Sequence, residues 1–266
     1  MPAGFAARPG QFVQILCRDE AATEAAGPYL RRPFSLAGQK ADKHRTVLEV
    51  VYRVVGRGTA WLEGRAAGDR VDIIGPLGNG FTVANDCKEA FLVAGGVGHP
   101  PLMMLAHELS RHRIKRLAFY GARRSGLLPF RTERVDAFPR DAEPVADVDE
   151  WAACETPVVV STDDGSAGFH GTVTEALETY VARNGLDPTR LCIYACGPQR
   201  MLAGLARQVA RWRVACQVAL ETLMACGMGS CQSCVVRVRA MDAPDGWRYK
   251  LCCMEGPVFA AEEIIW

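Results

Sequence analysis

No stretch of this chain approaches the roughly 20 consecutive apolar residues that cross a bilayer, so membrane contact is expected only through a partner. Charge of one sign is also missing. With 31 Lys and Arg against 30 Asp and Glu, the net charge of +1 supplies no field to favour nucleic acid or acidic lipid, although a local patch for a protein partner stays open. The opening Met-Pro-Ala-Gly-Phe shows no basic n-region and no apolar h-region, so no secretory leader is expected. Eleven cysteines would imply disulfides in a small secreted chain, but 266 residues is not small, and the expected compartment is a reducing cytoplasm. That length suits two domains, or three if one is small.

What is present in abundance is thiol, concentrated near the end. Cys226, Cys231 and Cys234 stand at C-x4-C-x2-C spacing in a loop of Gly and Ser, and Cys252-Cys253 returns after a short excursion. Three such thiols with a fourth from a returning segment fit the ligand spacing of a plant-type [2Fe–2S] cluster, a one-electron site. Gly227 and Gly229 let the backbone wrap closely around the sulfurs. A structural zinc knot usually shows two C-x2-4-C pairs, which are lacking here.

From residue 12 to 75, short apolar runs punctuated by Gly and Pro (12–16, 34–36, 47–55, 71–74) read as strands of a small antiparallel barrel. Arg31-Arg32-Pro33-Phe34-Ser35 sets guanidinium, rigid ring and hydroxyl along one extended segment. That suits gripping a diphosphate beside a flat ring, but it also suits an edge strand with a solvated arginine pair. Tyr52-Arg53 and Gly56-Arg57-Gly58-Thr59 add glycines that allow backbone amides close to phosphate. The barrel closes with Gly75-Pro-Leu-Gly-Asn-Gly80, and a boundary is expected within residues 82–88.

Beyond residue 89 the period changes. A buried strand over 90–94, the turn Gly95-Gly96-Val97-Gly98 and a helix carrying Leu102, Met103, Leu105 and Leu109 read as strand, phosphate loop, helix. Strands over 114–120, 157–161 and 191–196 and helices over 173–184 and 198–211 continue the alternation. The expectation is a doubly wound parallel nucleotide-binding sheet, with its ligand beyond the carboxyl ends of the strands. Those ends carry Gly95, Gly96, Gly98, the pair Arg123-Arg124, Asp163 and Asp164, and Cys196-Gly197-Pro198. The turn lacks the strict G-x-G-x-x-G fingerprint. Residues 131–155, rich in charge, Pro and Ala, are expected to form a surface excursion. A last strand over 214–220 hands the chain to the cysteine loop, and 235–239 with the turn 242–246 reads as a hairpin. The expected domains are 1–84, 85–219 and 220–266.

Taken in order, Arg32-Pro-Phe-Ser35, Gly58-Thr59, Gly75-Pro-Leu-Gly-Asn-Gly80, Gly95-Gly-x-Gly98-x-x-Pro101, Cys196-Gly-Pro198 and the C-terminal cysteines resemble the ferredoxin-reductase superfamily. With Gly256-Pro-Val-Phe259 they resemble, more narrowly, the electron-transfer subunits of two-component, NAD-linked dihydroorotate dehydrogenases. The resemblance covers nearly the whole chain. It implies FAD in the first domain, NAD(H) in the second, and a cluster facing a separate FMN-containing catalytic subunit in a heterotetramer. It places the flavin on Arg32, Pro33, Phe34, Ser35, Val51, Tyr52, Arg53, Gly58 and Thr59. It makes Cys253 the fourth cluster ligand and Cys252 the spare. Cys196 matches a thiol beside the nicotinamide, or is simply a small residue needed for packing. Cys17, Cys87, Cys154, Cys192 and Cys216 are expected to be buried apolar thiols.

Two departures stand out: only eight residues precede Pro9-Gly-Gln-Phe12, where relatives usually carry a further strand, and His99 occupies an expected apolar position. His99 is expected to be neutral and solvent-facing. A nicotinamide exchanges hydride and an iron–sulfur cluster single electrons, so a flavin between them is required. The same cofactors would serve an NAD(P)H:ferredoxin oxidoreductase or a hydrogenase-associated subunit. A non-catalytic zinc-knot protein that binds nucleotide is the reading of another class. Asp163 and Asp164 favour NAD(H) over NADP(H), against Arg123 and Arg124.

Overall fold

A computed structural model describes residues 4–19, 28–41, 43–129, 138–146 and 148–266, without the side chains of Asp149 and Glu150. The first sheet contains β1 (Phe12–Leu16), β2 (Arg32–Ala41), β3 (Thr46–Val50) and β4 (Asp72–Leu77), all antiparallel in the order β3-β2-β1-β4. Strand β1 is buried on both faces, and its alternation explains why. Val13 and Ile15 join Phe34, Leu36 and Cys17 in the barrel core, while Phe12 packs with Cys234, Cys252, Cys253 and Phe259 on the other side.

The run over 47–55 does not continue as one strand. Strand β3 stops at Val50, and Val54 and Val55 lie exposed before the short helix α1 (Arg57–Glu63), because no neighbouring strand pairs beyond Leu36↔Val50. Among the described residues before Pro9 there is no strand. Instead, the Gln39 carboxamide accepts from Ala7 N (2.9 Å) and donates to Ala7 O (2.8 Å), holding the segment against β2.

The second sheet has seven strands in the order β13-β10-β9-β5-β6-β7-β8. Parallel β5 (Glu89–Gly95), β6 (Lys115–Ala122), β7 (Val158–Thr162), β9 (Cys192–Cys196) and β10 (Cys216–Ala219) form its body, and β8 (Phe169–His170) extends it beside β7. Helix α2 (His99–Arg111) packs on one face, and α4 (Val173–Arg183) and α5 (Gln199–Trp212) on the other, so two apolar clusters sandwich the sheet. Helices on both faces account for strands that read as continuous apolar runs.

The segment 131–155 is not the expected surface excursion where it is described. Residues 131–137 and 147 lie outside the described residues. Phe138, Val148, Trp151 and Cys154 are buried in the sheet's core, with short helix α3 (Asp149–Ala152) supplying Trp151. Arg116 ties the segment down by donating from Nε to Cys154 O and Thr156 Oγ1, each at 3.0 Å.

After β10 the chain forms the cysteine loop, the antiparallel hairpin β11 (Val235–Arg239) and β12 (Trp247–Leu251), and then β13 (Val258–Ala260). Strand β13 returns to the seven-stranded sheet, antiparallel to β10. Among the described residues no helix is long and apolar enough to cross a membrane.

Candidate cofactor sites

Strand β2 pairs with β1 over Arg32–Ser35 but with β3 only from Leu36 onward. Residues 32–35 therefore have no ladder partner among residues 51–53, which leaves an unpaired strand edge there. Phe34 and Tyr52 meet across this opening edge to face, ring centroids 5.7 Å apart. Arg32 lies against Gly58, whose Cβ, if it had one, would stand 3.4 Å from Arg32 Cγ.

The arginine pair divides its labour. Arg31 is paired with Asp72 on β4 at 2.6 Å and holds that carboxyl below the usual range, so it is a barrel brace. Arg32 donates to the carbonyls of Leu30 (2.8 Å) and Arg31 (3.2 Å), which aims its guanidinium at the Gly58 side. Pro33 and Ser35 alternate to the opposite face, level with Gln14 and Phe12 of β1. Thr59 is committed locally. Its hydroxyl accepts from Val55 N (2.9 Å) and Gly56 N (3.1 Å), which caps α1. Arg53 is exposed and Val51 half-buried.

In the large sheet, strand order reverses between β5 and β9, which places the switch point at the carboxyl ends of those two strands. Gly95, Gly96 and Gly98 follow β5, and Cys196, Gly197 and Pro198 follow β9, so the structure brings both predicted groups to this crevice. The fit is close enough to require glycine. A Cβ on Gly98 would overlap the Cys196 carbonyl, and one on Gly197 would sit 3.0 Å from Gly95 N. The Cys196 thiol is pushed up to about 12, chiefly by burial and then by Glu221, and stays protonated. It acts as a small neutral wall of the crevice.

His99 differs from expectation. It is 3% exposed rather than solvent-facing, because it opens α2 underneath the turn: its ring stands edge to face on Tyr120 at 5.5 Å, and Nδ1 lies 3.4 Å from Gly96 O. Burial lowers its pKa, so it is neutral. Asp163 and Asp164 lie farther out, past β7, where Asp164 N donates to Arg123 O at 3.2 Å. Asp164 is spent on its own turn, accepting from Ser166 N (2.9 Å) and Ser166 Oγ (2.6 Å). Asp163 is an exposed residue whose carboxyl pKa is raised by partial desolvation and then by the neighbouring charges of Asp164 and Glu175. Arg123, Arg124 and Leu127 line a cleft of about 330 Å³ beside it.

The cysteine loop presents two thiol pairs. Cys226 Sγ accepts from Met228 N and Cys231 N, both at 3.4 Å, and Cys231 lies within hydrogen-bond reach of Cys226. Cys234 Sγ accepts from Cys253 N at 3.4 Å, and the Cys253 thiol faces Cys234, with Cys226 beyond it. Burial and the Cys234 sulfur push the Cys253 thiol up to about 12, so a cation must enter before both become thiolates. Cys252, fully buried, turns the other way, with Sγ 3.9 Å from Leu220 O and close to Thr222. Among the described residues no three ligating side chains converge on one ion.

A family model for the iron–sulfur cluster binding domain of dihydroorotate dehydrogenase B matches residues 221–265. The dihydroorotate dehydrogenase B (NAD(+)) electron transfer subunit of Desulforamulus reducens is 34% identical over 258 residues, 97% of this chain and 87% of that protein. The corresponding subunit of Geobacillus thermodenitrificans is 38% identical over 259 residues, 97% of this chain and 86% of that protein. The chain belongs to this family of electron transfer subunits. It is therefore an oxidoreductase subunit, and the resemblance drawn from its motifs holds over 97% of the chain. Among solved structures, one described as the NADH-dependent reduced ferredoxin-NADP oxidoreductase has a TM-score of 0.74 and 29% identity, covering 98% of this chain and 80% of that one. The flavohem-like FAD/NAD binding domain of nitric oxide dioxygenase from Vibrio cholerae, at 21% identity, shares the fold with a TM-score of 0.59, over 80% of this chain and 83% of its own.

Membership in this family also makes sense of Asn79, a residue without an individual role in the sequence motifs. In this electron transfer subunit Asn79 Nδ2 donates to Glu255 O (2.9 Å) and Val258 O (2.8 Å), and its Oδ1 accepts from Val258 N (2.9 Å). The barrel's closing turn is thereby latched to the Gly256-Pro-Val-Phe259 segment, and two motifs 176 residues apart form one joint.

Proposed function

We propose that this chain carries electrons between the FMN-containing catalytic subunit of a dihydroorotate dehydrogenase and NAD+ in pyrimidine biosynthesis, in the cytoplasm. Residues 1–84 hold FAD, 85–219 hold NAD(H) and 220–266 hold the cluster. The flavin supplies the exchange between single electrons and hydride. Cys226 with Cys231 and Cys234 with Cys253 are the ligand pairs, and Cys252 is left as a packing thiol.

Around the flavin, Arg32 grips the diphosphate, Phe34 and Tyr52 flank the open strand edge, and Val51, Arg53, Gly58 and Thr59 complete the wall, while Pro33 and Ser35 contribute their backbone, their side chains lying on the Phe12 face. Gly95, Gly96, Gly98, Gly197 and Pro198 bring backbone to the nucleotide, Cys196 keeps a neutral surface there, and Asp163 receives ribose hydroxyls. The observation that supports this reading best is the sharing of β1, whose Val13 face lines the flavin barrel and whose Phe12 face packs on Cys234 and Cys253. Two redox sites built on the two sides of one strand are adjacent without a linker.

The test is co-expression of this chain with the FMN-containing subunit, followed by metal, sulfide and flavin analysis and an assay of dihydroorotate-dependent NAD+ reduction. A yellow-brown complex with FAD, FMN and two irons per chain is expected. A colourless, zinc-loaded protein would overturn the assignment. Cofactor-loaded protein that reduces ferredoxin but never pairs with the FMN subunit would instead favour an oxidoreductase like the 29% identical structure.

A further inference from the structure

One polar side chain stands on the face of β1 that the cysteine module covers. Gln14 is fully buried, and neither its Nε2 nor its Oε1 has a hydrogen-bond partner. It sits opposite Pro33 on β2 and Ile74 on β4, on the same strand face as Phe12. Its cover is the cluster loop. A Cβ on Gly227 would overlap the Gln14 amide nitrogen and come within 2.7 and 2.9 Å of Cγ and Cδ. Gly227 adopts φ +72° directly after Cys226, so the left-handed turn of the ligand loop is wrapped over this carboxamide.

Buried carboxamides in folded proteins are almost always bonded, and an apolar chain of equal length would fill this space at no polar cost. We propose that the Gln14 side-chain N–H group donates a hydrogen bond to sulfur at the Cys226 corner of the bound cluster, so that the strand carrying the flavin barrel also sets the cluster's reduction potential. This rests on the cluster assignment above. Backbone N–H groups of Met228 and Cys231 already point at Cys226 Sγ, and Gln14 adds a donor from a different element. Donation to sulfur favours the reduced cluster, which carries the extra negative charge, and raises its potential. Gln14 itself transfers neither electron nor proton.

The variant Gln14→Met keeps length and packing while removing both donors. In the assembled holoprotein its iron and sulfide content should match wild type, and an EPR-monitored titration should show the one-electron equilibrium displaced roughly three- to tenfold toward the oxidised form. A tenfold displacement is about 59 mV for one electron. Pulsed EPR of wild type grown with amide-nitrogen-15 glutamine should show a nitrogen-15 coupling that Gln14→Met lacks. In this labelling comparison the protein with Gln14 and the protein with Gln14→Met both also carry Gln232→Gly, which suits the left-handed backbone there (φ +55°) and removes the cysteine loop's own glutamine amide. An unchanged potential, together with no glutamine coupling in wild type, overturns the proposal and leaves Gln14 a packing residue. Should Gln14→Met fail to fold, the labelled wild-type spectrum decides alone. A wild type with no iron–sulfur signal would overturn the cluster assignment instead.

Discussion

Cys252 and Cys253 are neighbours in sequence and opposites in space: one thiol turns to Leu220 O and Thr222, the other faces Cys234. The register with Gly256-Pro-Val-Phe predicts Cys253 as the ligand, and its thiol facing Cys234 supports that prediction. Replacing Cys253 by Ser should abolish the visible and EPR signals of the cluster, whereas Cys252→Ser should retain them. The reverse pattern would exchange the two roles. Arg32 carries the second residue-level expectation. A charge-assisted contact to a diphosphate contributes about 1.5–3 kcal/mol, so Arg32→Ala should weaken FAD binding by one to two decades and keep the cluster. Flavin retained at full occupancy on dilution would count against the assignment. What was legible here was the local part. Cysteine spacing and the Arg-Pro-Phe-Ser segment lie within a few residues, but which arginine serves the barrel depends on Asp72, forty-one positions away. His99 was misread for the same reason, since it is Tyr120 that buries it.

At the scale of elements, the alternation of strand and helix from β5 to β10 was readable because each strand is apolar over its buried length and each helix shows one apolar stripe. Two elements were not. Strand β13 has three residues, and its partner β10 lies across the whole cysteine module, so no local signal announces the pairing. Trp151 sits in a segment whose charge and proline content hide apolar residues at 148, 151 and 154, spaced for one face. The nucleotide preference is predicted to lie at the ends of β6 and β7. Asp163 is the free carboxylate, since Asp164 is held by Ser166, and a carboxylate there accepts from ribose hydroxyls and repels a 2′-phosphate. Arg123 and Arg124 stand beside it and would favour the phosphate. With the carboxylate decisive, kcat/KM for NADH should exceed that for NADPH with an artificial acceptor, and Asp163→Ser should narrow the ratio by roughly tenfold, the size of one or two lost hydrogen bonds. A higher value for NADPH in the unaltered protein would move the preference to the arginine pair.

For the whole molecule, the question is how electrons reach a cluster whose ligands are largely covered. Cys234 and Cys253 are buried, and only Cys231 is exposed, so the cluster opens to the outside on the side of its own loop. The loop and the segments flanking it leave apolar side chains exposed: Leu223, three residues before Cys226, is 93% exposed, Met254 55% and Met228 44%, and Met254 rests against Gly229 of the loop. Thioether and isobutyl groups this exposed gain about 1–2 kcal/mol each when covered, and methionine adapts its shape to a partner. The family to which the chain belongs pairs with a catalytic subunit, and this exposed apolar rim is the predicted docking face. A charge placed there would be stranded without a partner on assembly. Leu223→Glu and Met254→Glu should therefore each lower the affinity for the FMN-containing subunit by tenfold or more, measured by titration of one purified subunit into the other, while the EPR signal of the isolated chain stays intact. Affinity unchanged in both variants, with the cluster intact, would place the docking face elsewhere. The hairpin side carrying exposed Tyr249, where Arg237 stacks on half-buried Trp247 at 4.3 Å, would then be the next surface to alter.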